Sequence, residues 1–252
     1  MQKYPTWIRL ISPLVAVVLL LIFLVFAQVY VSIGVIVLWS FFFILLDRRY
    51  HVARQQTALS GMTALSFIIL IALIEAVWLR WFFVGLSVPF FFFIAYWWEP
   101  RIERAIHIKE KPLRRIMMMV YVFNVYAFLL GVFAVHLYFP MAPFWILSFV
   151  AGLYAAFGAY MIWNLYFKIR LTDSVVWTMI IAFMVIELMW VLRLLPFGYL
   201  ALGLLTVWVW YIVQLFIRFH LGSKGILWNE QRGFIIGNVV LYIFVLYIIR
   251  WI

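Results

Sequence analysis

The chain has no cysteine. That excludes disulfides, thiolate metal sites and thiol nucleophiles, and it leaves the redox compartment open. Charge is scarce as well: 11% of residues are Asp, Glu, Lys or Arg, against about a quarter in an average soluble domain. Acids are the rarer sign, with 8 Asp and Glu against 19 Lys and Arg. No nucleotide-binding loop, G-x-S-x-G elbow or acid-rich diphosphate motif occurs. No lysine falls inside an apolar run, which excludes a retinal-type Schiff base. His51, His107 and His220 lack zinc spacing, since neither H-E-x-x-H nor a cluster of acids accompanies them. Neither a metal nor a cofactor is expected.

What remains is apolar. Hydrophobic residues make up 70% of the chain, and mean hydropathy is +1.17. No soluble packing of 252 residues buries this much apolar surface, so the solvent is lipid. Period-2 alternation is absent and long apolar runs recur, which predicts membrane helices rather than barrel strands. A net charge of +11 would suggest nucleic acid in a soluble chain. Here basic loops that set topology account for it, and no nucleic-acid partner is expected.

The fold class is therefore all-α, a polytopic transmembrane helix bundle of about nine helices, with eight as the competing count. Lys3 and Arg9 precede a run, Leu10–Leu46, that is too long for a signal peptide and reads as a retained anchor. As one helix it would extend about 55 Å, against a hydrocarbon core of about 30 Å. It must fold back, and Gln28–Ser32 is the place, giving spans near 10–27 and 30–46. The block 57–98 is broken near Arg80, spans near 116–138 and 144–167 flank "YFPMAP", and 175–218 is broken at "LRLLPFG". A last span covers 234–250. All of the 19 lysines and arginines except Arg80, Arg193 and Arg250 then share the side of the N-terminus. That bias predicts the cytoplasmic (inner) membrane, with the N-terminus cytoplasmic and the C-terminus outside.

"IEAVWLRW" (74–81) has an echo in "IELMWVLR" (186–193). With Glu75 on Glu187, Ile74 and Trp78 meet Ile186 and Trp190, and one insertion at Val191 brings Arg80 onto Arg193. In the same register Gly85, Trp97, His107 and Lys111 meet Gly198, Trp210, His220 and Lys224. Rare residues coincide, so the chain reads as two parallel four-helix repeats, 1–112 and 113–225, plus a C-terminal helix, 226–252. Parallel repeats in membranes are related by an axis along the membrane normal. Such an axis puts both glutamates at one depth and favours pairs across it, Glu75 with Arg193 and Glu187 with Arg80.

An ionisable group inside a span costs about 2.5–3.5 kcal/mol on insertion scales, so it marks a candidate site. Glu75, Arg80, Glu187 and Arg193 form that candidate, with His136 and Arg250 reaching the same outer level. The bland alternative is ion pairs locking helix ends, with the arginines snorkelling to headgroups. The helix middles look nearly free of polar groups, Asn124, Asn164, Gln214 and Asn238 being scattered, and this counts against a route for a hydrophilic solute.

At "IELMWVLRLLPFGYLALG" the chain resembles small multi-span bacterial membrane proteins classed as domains of unknown function. The resemblance covers mostly the third quarter of the chain and implies a bacterial envelope protein, with no activity. The expectation is a non-catalytic membrane protein whose outer-leaflet Glu/Arg cluster binds a lipid headgroup, amphiphile or envelope protein partner. Two alternatives use the same residues: a proton-linked secondary transporter working through Glu75 and Glu187, and a membrane-embedded lipid-modifying enzyme. The cysteine-free chain makes topology directly testable. A Met141→Cys variant is expected to react with an impermeant maleimide from outside the cell, and an Arg104→Cys variant only after permeabilisation; the reverse pattern would refute the orientation.

Overall fold

The computed structural model describes residues 6–26, 34–35, 37–39, 41–42, 54–96, 111–167, 171–222, 225–226 and 228–248. Among them eight helices are delimited. They are α1 (Thr6–Val25), α2 (Arg54–Leu73), α3 (Val77–Tyr96), α4 (Lys111–Tyr138), α5 (Phe144–Tyr166), α6 (Leu171–Leu192), α7 (Tyr199–His220) and α8 (Trp228–Ile248). Helical residues at 34–35, 37–39 and 41–42 fall where a further helix is expected from sequence. Seven of the eight, all but α1, are long and apolar enough to cross a membrane. The chain is an all-α, multi-pass integral membrane protein. Helices are the natural outcome, because the bilayer core offers no partner to a backbone N–H or C=O that its own segment leaves unpaired.

Most expected boundaries hold, including α5 against 144–167 and the α6–α7 break at "LRLLPFG". Two do not. The break in 57–98 falls at Ile74–Ala76, not near Arg80, so Arg80 belongs to the first turn of α3. Turning at Glu75 takes the carboxylate out of the span and leaves two nearly equal spans, Gln56–Leu73 and Val77–Ala95. Arg114 and Arg115, which the expected span 116–138 leaves in the preceding loop, belong to α4, and Arg114 is buried. The fold-back at Gln28–Ser32 lies outside the described residues.

The chain divides into two compact units, Met1–Ala127 and Phe128–Ile252, and the division falls within α4. In the first, α1, α2, α3 and the first part of α4 share a core built around Leu20, Phe67, Ile71, Val84 and Phe91. Three phenyl rings, Phe67 of α2, Phe90 of α3 and Phe123 of α4, meet with centroids 5.3–5.5 Å apart.

The second unit packs through small residues. On α5 the buried face carries Ser148, Ala151, Gly152, Ala155, Ala156 and Ala159, while Trp145, Phe149, Leu153 and Phe157 point outward. This is small-inside, large-outside, because lipid tails are as apolar as leucine and close backbone approach becomes the source of helix attraction. A Cβ on Gly152 would lie 2.7 Å from the Ala182 carbonyl oxygen on α6. One on Gly203 of α7 would lie 3.0 Å from Leu130 Cα on α4. Indole N–H groups tie α5 to α7: Trp163 donates to the Gln214 carbonyl (3.2 Å) and Trp210 to the Ala155 carbonyl (3.0 Å).

Helix α8 is held more lightly. Trp208 of α7 donates to Asn238 Oδ1 at 3.0 Å, and a cavity of about 240 Å³ lies between α7 and α8, lined by Val209, Ile212, Val213 and Tyr242 among others. Its other face is open. At Gly152 the obstacle is backbone, which cannot rotate aside. Gly152→Ala is expected to destabilise the protein by about 1–3 kcal/mol. Gly85→Ala, where an added Cβ meets nothing within 4 Å, is expected to be neutral or stabilising by at most about 1 kcal/mol. Thermal unfolding in detergent checks both, and equal effects would contradict the packing account.

Candidate functional site

At the α2–α3 turn the polar residues have separate duties. Glu75 sits in the turn itself and is exposed. Helix α2 ends there with unpaired carbonyls, as every helix does. Arg80, one turn into α3, reaches back, and its Nε donates to the Ile74 carbonyl oxygen. A cation at a helix C-terminus also meets the negative end of the helix dipole. Arg80 is thus a cap for the preceding helix, a use its spacing in sequence did not reveal.

In the second unit Glu187 lies within α6, short of its end at Leu192, and is exposed. It shares the outward stripe of α6 with Phe183, Trp190 and Val191, all exposed, and exposed Leu194 follows in the turn. The expected equivalence of the two glutamates therefore fails in one respect: Glu75 stands beyond the end of its helix and Glu187 inside its own. The reason is the turn chemistry. Pro196 and Gly198 delay the second turn until after Arg193, and Gly198 is the N-cap residue of α7.

Around Arg193 the structure does gather predicted residues. Its guanidinium carbon lies 4.7 Å from the ring centre of Phe144 and 4.8 Å from that of Trp190. The rings of Phe144 and Trp190 meet edge to face at 5.2 Å. His136, in the last turn of α4, packs its ring 4.7 Å from the same Phe144, close enough to feel the Arg193 charge. Its Nδ1 is buried and has no hydrogen-bond partner among the described residues. Three helix ends, from α4, α5 and α6, thus converge on one phenyl ring.

Cation–π contacts hold a guanidinium by its carbon face and leave its N–H edge for an acceptor. Among the described residues of its unit, neither Arg193 nor Glu187 has an ion-pair partner. Arg250 lies outside the described residues. The cross-pairs Glu75–Arg193 and Glu187–Arg80, like the repeat boundaries, remain expectations of the sequence.

The helix middles are less bare than the sequence suggests. In the first unit Thr63 and Ser66 of α2, Ser87 of α3 and Asn124 of α4 are all fully buried. Asn124 Nδ2 donates to Thr63 Oγ1 at 3.0 Å, and Ser66 Oγ stands 3.4 Å from the Asn124 main-chain oxygen. Thr63 and Ser87 are equally far along the chain from Glu75, about 18 Å by helix rise, which is near mid-bilayer. The signal was present in the spacing of Gln56, Ser60, Thr63 and Ser66, which fall on one side of α2 and are all buried. Hydroxyls bonded to their own helix barely disturb an apolar run, so the pattern is faint beside Asn and charged residues. No family model, curated protein or solved structure matches the chain.

Proposed function

We propose that this is a non-catalytic protein of the cytoplasmic membrane that binds the phosphate of a lipid headgroup at the outer leaflet, with Arg193 as its anchor. The single observation behind this reading is the guanidinium poised over Phe144 and Trp190 with no carboxylate partner among the described residues of its unit. Rings fix where the charge sits, and they leave its donors unspent. A phosphate takes such an edge in two parallel N–H···O bonds. Trp190 is itself 42% exposed, so the anchor opens sideways rather than into the unit's interior.

Glu187, three residues before Trp190 on the same outward stripe, adds an acceptor for an amine-bearing headgroup. Placement at the outer leaflet rests on the basic-loop bias, with the α4–α5 and α6–α7 turns outside and the N-terminus cytoplasmic. The transporter and enzyme alternatives both depend on glutamates enclosed in a bundle. Glu75 is in a turn and Glu187 is on an exposed stripe, so neither observation favours them.

The test is phospholipid retention by the purified protein, read by native mass spectrometry after graded delipidation. A charge-assisted hydrogen bond contributes about 1.5–3 kcal/mol, so Arg193→Gln is expected to weaken phospholipid binding roughly 10- to 100-fold. Arg80→Gln, whose Nε is already spent on the Ile74 carbonyl, is expected to bind as the parent does. Equal retention by the parent and Arg193→Gln would refute the proposal.

A further inference from the structure

The first unit holds a polar cluster that headgroup binding at Arg193 leaves unused. Its donors are all spent. Asn124 Nδ2 goes to Thr63 Oγ1, Thr63 Oγ1 donates to the Leu59 carbonyl at 2.8 Å, and Ser66 Oγ to the Met62 carbonyl at 2.8 Å. Its acceptors are not. Asn124 Oδ1 is buried and has no partner among the described residues. A buried carbonyl left so costs about 1–3 kcal/mol, and in a bilayer no bulk water can relieve it.

We infer that Asn124 Oδ1 anchors an internal site, at mid-bilayer depth in the first unit, for one small hydrogen-bond-donating molecule. Three features define the ligand. The surplus is of acceptors, so the ligand must donate; an anion or a ketone-like acceptor finds nothing to hold it. Asn124, Thr63 and Ser66 are each fully buried, and a single donor of about water size is what a buried unpaired acceptor ordinarily takes. The anchor carries no formal charge, so a neutral donor loses least on leaving solvent. Water fits all three, and ammonium is the charged form of the same donor chemistry. Elsewhere on the same helices the Phe67, Phe90 and Phe123 rings pack on one another, so α2, α3 and α4 meet at this level of the first unit.

The experiment uses the full chain in detergent micelles with ¹⁵N-labelled asparagine. The side-chain amide of Asn124 is assigned by elimination with Asn164→Ser, Asn229→Ser and Asn238→Ser, which leave the cluster intact. A rotating-frame cross-peak from that amide to water, of the sign that marks dipolar contact rather than proton exchange, is expected. Loss of that cross-peak on adding ammonium chloride, but not tetramethylammonium chloride at equal ionic strength, identifies ammonium as the occupant; persistence identifies water. Cross-peaks to phenyl and aliphatic protons alone, with no response to ammonium, overturn the inference. The lipid-retention result at Arg193 bears on none of these outcomes.

Discussion

A bilayer core about 30 Å thick offers nothing to a peptide group or a charge, and the architecture follows from that constraint. Each apolar run must close its own hydrogen bonds, so it becomes a helix. Where a run exceeds the core it must turn, at turn-forming residues such as Pro196 and Gly198 or, where none is present, at a residue costly to keep inside. In "LIEAV" that residue is Glu75, although neither proline nor glycine is present to mark the turn. Arg80 then caps the carbonyl end that the turn exposes.

The same constraint removes the ordinary force for packing. Between helices already solvated by lipid, contact must come from close approach and from polar groups that need each other. Gly152 against Ala182 is the first kind, and Gly203 against Leu130 belongs with it. The bonds of Trp163 and Trp210 to helix carbonyls are the second kind, as is the Asn124–Thr63 pair in the first unit. From Ser148 to Ala159 of α5 the buried residues are all small and the bulky ones face outward, whereas beyond it Met161, Ile162 and Trp163 are buried.

Sequence alone went far on the fold. Run length located α5 to within a residue, and Pro196 with Gly198 located the α6–α7 turn. It misplaced the α2–α3 turn, because the decision there rests on charge cost rather than turn chemistry. It assigned Arg114 to a loop because charge was read as loop, whereas a helix can carry its basic residues past the apolar span. The gathering of Arg193 and His136 at one level was legible. Their shared partner, Phe144, was not, since one phenylalanine among 26 has no signature in sequence. The Thr63–Ser66–Asn124 cluster stayed hidden because each hydroxyl satisfies a carbonyl of its own helix and so barely disturbs the apolar pattern.

Residues that align in sequence need not share a use. Arg80 and Arg193 align, yet one spends its donor on its own backbone while the other lies across two aromatic faces. That difference makes Arg193 the better candidate for an outside ligand. An experimental structure in phospholipid nanodiscs addresses it most directly. The account predicts phosphate density about 2.7–2.9 Å from the Arg193 guanidinium nitrogens. A guanidinium paired to a carboxylate of the protein, with only acyl-chain density beside Trp190, would contradict it.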